Sequence, residues 1–302
     1  MEGVFNMMLD LHIHSNCSDG ALSPKEIIDI AAKNHVTAIS IADHDGTLAY
    51  TKENIAYAKE QGVTLITGVE MSSRLDTGFH VLGYGFDLAN KEIQSTLLKL
   101  RNARVDYLYN VCKKLNALGY AIDPDKLKDI PSVTKAHISL DIIGNPDNKD
   151  ILHKEFGHIP TKGEFIETIM NEGCPAFTLK YNITPSEASR IIHNAGGKVV
   201  LAHPVCYKHE DGIDKETIKK LIVEMQADGI EANYLYVNRD NQLINEIPVW
   251  RNVARDLNVF TTIGSDFHAF DPLRPEIGFK NTGIDITPEE LEEILHNLNV
   301  DV

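Results

Sequence analysis

The sequence predicts an α/β fold, a mostly parallel sheet or barrel interrupted by a mainly helical insertion, and three observations carry that reading. Short apolar strands alternate with helical stretches over the first ninety residues. The same alternation resumes after about residue 184, and residues 91–183 between the two blocks lack strand periodicity.

In the first block, residues 7–14 read as strand, 24–34 as helix, 37–43 as strand, 47–61 as helix and 63–72 as strand. Asp76-Thr77-Gly78 reads as a hairpin connection, so residues 79–86 should run antiparallel to the strand before them. In the second block, a helix from Pro185 is followed by strand 198–203, helix 215–227, strand 229–234, helix 242–257, strand 259–266 and a last helix from Pro288. Ser23-Pro24-Lys25-Glu26, Thr184-Pro185-Ser186-Glu187 and Thr287-Pro288-Glu289-Glu290 each combine a hydroxyl cap, a proline at the first helical position and a glutamate three residues after the cap. The insertion opens with a long helix over 91–118 and continues with shorter helical pieces around 136–143 and 161–172. The expected division is therefore 1–90 with 184–302 as the core domain, and 91–183 as an inserted helical subdomain.

Composition narrows the class. With 43% hydrophobic and 24% charged residues in 302, the chain matches soluble globular usage and excludes collagen, coiled-coil and disordered classes. No stretch approaches the ~20 apolar residues of a membrane span. Glu2 stands where a signal peptide carries positive charge, so a cytoplasmic protein without membrane contact is expected. Four scattered cysteines, at 17, 112, 174 and 206, form no C-x-x-C pair and read as reduced thiols. A net charge of −15 argues against a grip on duplex nucleic acid, but bound cations can invert the field inside one pocket. Nothing in the sequence sets an oligomeric state.

Asp10-Leu11-His12-Ile13-His14 alternates polar and apolar residues, which places Asp10, His12 and His14 on one strand face. Two histidines at i and i+2 lie roughly 7 Å apart at Cα and can lean onto one ion. H-x-H also occurs as a hydrogen-bonded pair in a core, so the later strands matter. Their ends carry Asp43-His44-Asp45, Gly68-Val69-Glu70, Ala202-His203-Pro204 and Gly264-Ser265-Asp266-Phe267-His268. In α/β barrels such strand ends converge at one mouth. His80 begins an antiparallel strand at the edge where the Glu70 strand finishes, and Asp19 lies in the loop above the first strand. Six histidines, two aspartates and one glutamate without cysteine suit Zn²⁺, Mn²⁺ or Fe²⁺, and at three or four ligands per ion suggest two or three ions at a hydrolytic site.

These segments, together with Ser18-Asp19-Gly20 and His80-Val81-Leu82-Gly83-Tyr84, resemble the PHP family, the polymerase and histidinol phosphatase superfamily of metal-dependent phosphoesterases. The resemblance implies a distorted (β/α)₇ TIM-like barrel with three metal ions. His12, His14, Glu70 and Asp266 would hold one ion, Glu70 with His80 and His203 a second, and Asp19, His44 and His268 a third. Lys135-Ala136-His137-Ile138 in the insertion resembles the stand-alone branch of nucleoside 3′,5′-bisphosphate phosphatases and 5′→3′ exoribonucleases, which implies a small phosphorylated substrate, a nucleotide or short RNA.

A hydroxide held between metals would be the nucleophile, because zinc acidifies bound water by roughly eight units, and no dedicated general base is then assigned. Asp10 and Asp45 are candidates for orienting the histidines. Arg101, Arg104, Lys135, His137 and Arg274 are candidates for a second phosphate or a base, although Arg101 and Arg104 also fit a solvated helix face. Two other readings use the same residues. One is a histidinol-phosphate phosphatase. The other is an amidohydrolase cleaving C–N bonds, against which Glu70, standing where a bridging lysine could stand, and the Asp266-x-His268 pair weigh.

Overall fold

A computed structural model describes residues 8–238 and 240–300, which leaves Met7 of the first expected strand and the N-terminal residues behind the leader-peptide reading outside the described residues. The chain divides into two compact units, one of residues 8–97 with 183–300 and one of residues 98–182.

In the first unit, β1 (Leu9–Ile13), β2 (Ala38–Ile41) and β3 (Thr64–Leu65) form a parallel sheet in that order. A five-stranded mixed sheet orders β10 (Phe260–Ile263), β7 (Gly229–Asn233), β6 (Lys198–Leu201), β5 (Gly78–Tyr84) and β4 (Gly68–Arg74). Of its pairings, β10 with β7 and β7 with β6 are parallel, and those of β5 are antiparallel. Single parallel bridges, Ile13 with Phe267 and His44 with Glu70, tie the two sheets together beyond the C-terminal ends of β1 and β2. Sequence alternation thus becomes a rim where strand ends from both sheets meet.

Helices cover these sheets for reasons visible in their first turns. Ahead of α1 (Pro24–Lys33), Glu26 Oε2 accepts the Ser23 N–H at 2.8 Å while Ser23 Oγ accepts the Glu26 N–H, so two otherwise orphan donors are satisfied. The same exchange starts α7 (Pro185–Asn194) at Thr184 and α11 (Pro288–Asn297) at Thr287. The apolar stripe of α1, Ile27, Ile28 and Ala31, is fully buried with Ile13, Ile39 and Ile41 of β1 and β2. A second core holds Leu9, Leu11, Leu82, Val200, Ala202 and Ile263, and each leucine, valine or isoleucine among them contributes about 1.5–3 kcal/mol by leaving water.

Several expected boundaries shift. The helix expected from residue 47 begins as α2 at Lys52 behind its Thr51 cap, because Tyr50 turns inward and its hydroxyl donates to Ile66 O at 2.8 Å. The strand expected over 63–72 is broken into β3, paired with β2, and β4, paired with β5. The helix expected from residue 242 starts as α10 (Ile247–Leu257), with Pro248 in its first turn. Leu243–Ile244 instead forms β9, a hairpin with β8 (Tyr236–Val237), whose turn is held by Asn238 Oδ1 accepting from Asp240 and Gln242.

The second unit is helical. The long helix α3 (Lys91–Ala117) spans the division, and α4 (Lys135–Gly144), α5 (Lys149–Phe156) and α6 (Lys162–Phe165), which runs into a π-helical turn at Ile166–Met170, follow it. Their core gathers Leu108, Val111, Leu115, Ile138, Ile142, Leu152 and Phe165. Sequence periodicity finds α9 (Lys215–Glu224) but misses α5 and the short α8 (Pro204–Glu210) that follows β6. Among the described residues, no helix is long and apolar enough to cross a membrane.

Candidate metal centre

Each expected ligand sits at the rim of the first unit. His12 and His14 project from β1 and are fully buried. Asp19 is carried by a loop whose fold is fixed by Asp43, which accepts from the Ser15 N–H at 2.8 Å and from Ser18 Oγ at 2.5 Å. Gly20 is required there, since a Cβ would lie 2.1 Å from His14 O. His44 follows β2 and pairs by backbone with Glu70 of β4, while His80 lies on β5 opposite Ser72. His203 and Asp266 follow β6 and β10 with φ of +26° and +53°, left-handed conformations that cost a non-glycine residue about 1–3 kcal/mol and concentrate at functional sites.

Glu70 is the hub. Its Oε1 lies 2.8 Å from His80 Nδ1, 3.1 Å from His203 Nε2 and 3.5 Å from His12 Nε2. Its Oε2 lies 2.8 Å from His44 Nδ1 and 3.3 Å from His14 Nε2. Asp266 Oδ1 is 3.2 Å from His14 Nε2, 3.6 Å from His12 Nε2 and 3.6 Å from His268 Nδ1. Asp19 is 3.2 Å from His268 Nε2 and 3.7 Å from His44 Nε2. Three sets bring their ligand atoms within 4.8 Å of one another: His14, Asp19, His44 and His268; His12, His14 and Asp266; and His44, Glu70 and His80.

A hydrogen-bonded core cluster does not account for this packing. His12 Nε2 faces His14 Nε2 at 3.2 Å. Asp19 Oδ1 and Glu70 Oε2 are buried without a hydrogen-bond partner among the described residues, although imidazole nitrogens stand close to both. Lone pairs that converge without aligned protons fit divalent cations, and a set of imidazoles and carboxylates without thiolate suits Zn²⁺, Mn²⁺ or Fe²⁺.

Charge within the cluster is strongly coupled. Burial opposes ionisation of Glu70, Asp266 and Asp19, but the surrounding imidazoles hold all three carboxyls well below their usual range. Burial also opposes charge on His14, yet the neighbouring Asp266 and Glu70 carboxylates raise it to about 10, whereas burial pushes His44 down to about 4. Without cations, then, His14 holds a proton at neutral pH on the ring whose lone pair a cation would need, and His44 does not. Cation binding should therefore release protons and strengthen as pH rises. Titrating Mn²⁺ into chelator-stripped protein near pH 7, in buffers of different ionisation enthalpy, should show net proton release; a buffer-independent heat would contradict it.

The residues expected to support the ligands behave differently from one another. Asp10 was expected to orient a histidine ring, but its carboxylate accepts backbone N–H groups, from Ser265 at 3.0 Å and Gly278 at 2.9 Å. It lies at the opposite end of β1 from His14, so it ties that strand to the segments beyond β10, and burial lifts its carboxyl to about 6. Asp45 accepts the Ser72 N–H at 2.7 Å, and its own N–H donates to Glu70 O at 2.9 Å, which fixes the strand that carries the hub. Arg274 is more than half exposed, with its guanidinium 3.8 Å from Asp271. Arg101, Arg104, Lys135 and His137 belong to the second unit. There Arg104 is buried and donates to Val133 O, Lys135 donates to Asn171 at 2.8 Å, and His137 Nδ1 accepts the Thr134 N–H at 3.0 Å.

Sequence reasoning missed Glu231. It is buried on β7 with an oxygen 3.0 Å from His12 Nδ1, and the signal available was a carboxylate in the middle of an otherwise buried strand. It also missed Tyr234, whose hydroxyl donates to Asp266 Oδ2 at 3.1 Å, and Tyr207, whose hydroxyl accepts the His80 N–H at 2.9 Å.

Comparison with known proteins places this rim. The sequence matches the PHP domain over residues 10–156. A 5′-3′ exoribonuclease of Haemophilus influenzae is 30% identical over 265 residues, covering 86% of this chain and 89% of the relative. The chain belongs to the PHP family. It is a phosphoester hydrolase of that family. A 3′,5′-nucleoside bisphosphate phosphatase of Chromobacterium violaceum is 27% identical over 266 residues, covering 86% of this chain and 87% of the relative. A solved structure described as an amidohydrolase from Chromobacterium violaceum superposes with a TM-score of 0.75 at 24% identity over 96% of each chain, a likeness of fold. The segment matched to the PHP domain contains His12, His14, Asp19, His44, Glu70 and His80.

Proposed function

We propose that this PHP protein hydrolyses phosphate esters of small nucleotides, as a 3′,5′-bisphosphate nucleotide phosphatase or as a 5′→3′ exoribonuclease on short RNA, with two or three divalent cations at the rim. The observation that carries the reading is Glu70, a buried carboxylate whose two oxygens face five imidazoles from four strands or strand ends. The names of the two relatives support the nucleotide substrate. A glutamate at this hub, with no lysine in the set, favours phosphoester over amide hydrolysis.

In this reading His12, His14, Glu70 and Asp266 hold one cation, Glu70, His80 and His203 a second, and Asp19, His44 and His268 a third. His14 and His44 stand near enough to serve neighbouring positions as well. The two bridged sheets make up a distorted (β/α)₇ barrel, and residues 91–183 form the substrate-specificity insertion, with Arg101, Arg104, Lys135 and His137 as candidates for a second phosphate or a base and Arg274 as a further one.

Cations held there supply Lewis acidity, lower the pKa of water and neutralise charge building on phosphate oxygens. The chain keeps the remaining parts in place. Glu70, Asp266 and Asp19 stay ionised because imidazoles surround them. Tyr234 donates to one Asp266 oxygen and leaves the other facing His14. Buried His44 stays neutral, so it presents a lone pair without first losing a proton. Three dications would take the formal charge from −15 to −9 while making the rim itself attractive to phosphate.

A release screen with Mn²⁺ over nucleoside 3′,5′-bisphosphates, 5′-phosphorylated oligoribonucleotides, histidinol phosphate and amide substrates tests the proposal. Phosphate from a bisphosphate, or mononucleotides from RNA, is expected. Turnover confined to histidinol phosphate, or ammonia from an amide, would overturn it.

A further inference from the structure

We infer that Glu231 is a positioning residue that sets the ring tautomer of His12 and pins the backbone of His203, with Gly264 as the clearance that lets it do so. The inference rests on the ligand reading above and concerns a side chain outside that ligand set.

A carboxylate buried in the middle of a strand destabilises the fold unless its oxygens are matched by donors. Glu231 is 1% exposed on β7, between β6 and β10, and two donors account for it. His12 Nδ1 lies 3.0 Å from Oε1 and 3.2 Å from Oε2, and the His203 N–H donates to Oε2 at 2.8 Å. One carboxylate thus holds a ring from β1 and a main-chain group just past β6.

The consequences follow from what a carboxylate can do. An ionised carboxylate only accepts hydrogen bonds, so His12 Nδ1 must carry a proton. The lone pair of His12 is then left on Nε2, the atom that faces Glu70, Asp266 and His14. Outer partners of this kind fix the tautomer and orientation of a ligating imidazole. At His203 the backbone stands at φ +26° and ψ +61°, a conformation that persists only where its surroundings hold it. The bond to Oε2 is one such hold.

Gly264 supplies an independent sign that this contact is built into the fold. A Cβ at Gly264 would lie 2.2 Å from Glu231 Oε1 and 2.3 Å from His12 Cβ, so a larger residue would enter the contact itself.

The test replaces Glu231→Gln and measures binding of Zn²⁺ to chelator-stripped protein by calorimetry, beside wild type and His12→Ala. Glutamine has nearly the shape of glutamate, so a role limited to filling space would leave affinity unchanged. Its amide, however, must either donate to His12 Nδ1, which moves the ring proton to Nε2, or oppose the His203 N–H with a second donor. Zinc affinity should fall by about 10- to 100-fold with the circular dichroism spectrum retained. Wild-type affinity in Glu231→Gln, with loss in His12→Ala, overturns the positioning role alone; wild-type affinity in His12→Ala overturns the ligand reading and this inference with it. If Glu231→Gln does not fold, ¹⁵N-histidine spectra of zinc-loaded wild type decide the matter, with the His12 signal identified by its loss in His12→Ala. A proton on Nδ1 supports the inference, and a proton on Nε2 overturns it.

Discussion

Glu70→Gln is expected to lower phosphoester turnover by at least about 10²-fold, the scale of losing one well-placed electrostatic group from an active site. The substitution keeps the volume of the side chain but removes the negative charge that five imidazoles share. It also turns one acceptor atom into a donor that points at rings whose lone pairs are needed for cations. The loss should appear in kcat and in metal content together, with the folded signal by circular dichroism retained. Turnover within a fewfold of wild type, or full metal content, would show that Glu70 is not the hub.

Exhaustive chelation should have the largest effect of all. The described rim places three carboxylates held in the ionised form among imidazoles and gives the chain no separate general base in the proposed reaction. Phosphate release should fall to background after dialysis against chelator and return on addition of Mn²⁺. Activity that survives complete removal of divalent metal would refute the chemistry while leaving the fold untouched.

Much of this was legible in the sequence because strand geometry is periodic. The alternation Asp10-Leu11-His12-Ile13-His14 placed His12 and His14 on one face, and proline-led capping boxes placed three helices that the structure starts at Pro24, Pro185 and Pro288. Strand ends carrying His44, His203 and Asp266 anticipated a shared rim, since parallel strands bring their C-terminal ends to one edge, whereas Glu70 lies near the start of β4 and meets that rim through its bridge to His44.

What was not legible depends on contacts made across the chain. Glu231 reads locally as a misplaced charge in Gly229–Asn233, and only its neighbours on β1 and β6 explain it. Asp10 shares the strand face of the histidines, yet a carboxylate there is claimed by the Ser265 and Gly278 N–H groups, which no periodicity announces. The left-handed backbones of Asp45, His203 and Asp266 are likewise held by tertiary contacts, since aspartate and histidine tolerate positive φ better than most residues but do not specify it. The break between β3 and β4 arises because the chain exchanges one partner strand for another, whereas the apolar run itself continues.

The most direct test of the central claim, that Glu70 and its surrounding imidazoles and aspartates form one multinuclear cation site, is anomalous diffraction from crystals of the zinc-loaded protein. The account predicts at least two peaks at the rim, one within about 2.0–2.2 Å of Glu70 and each bounded by nitrogen or oxygen atoms of the nine side chains. Peaks elsewhere on the molecule, with none at Glu70, would contradict it.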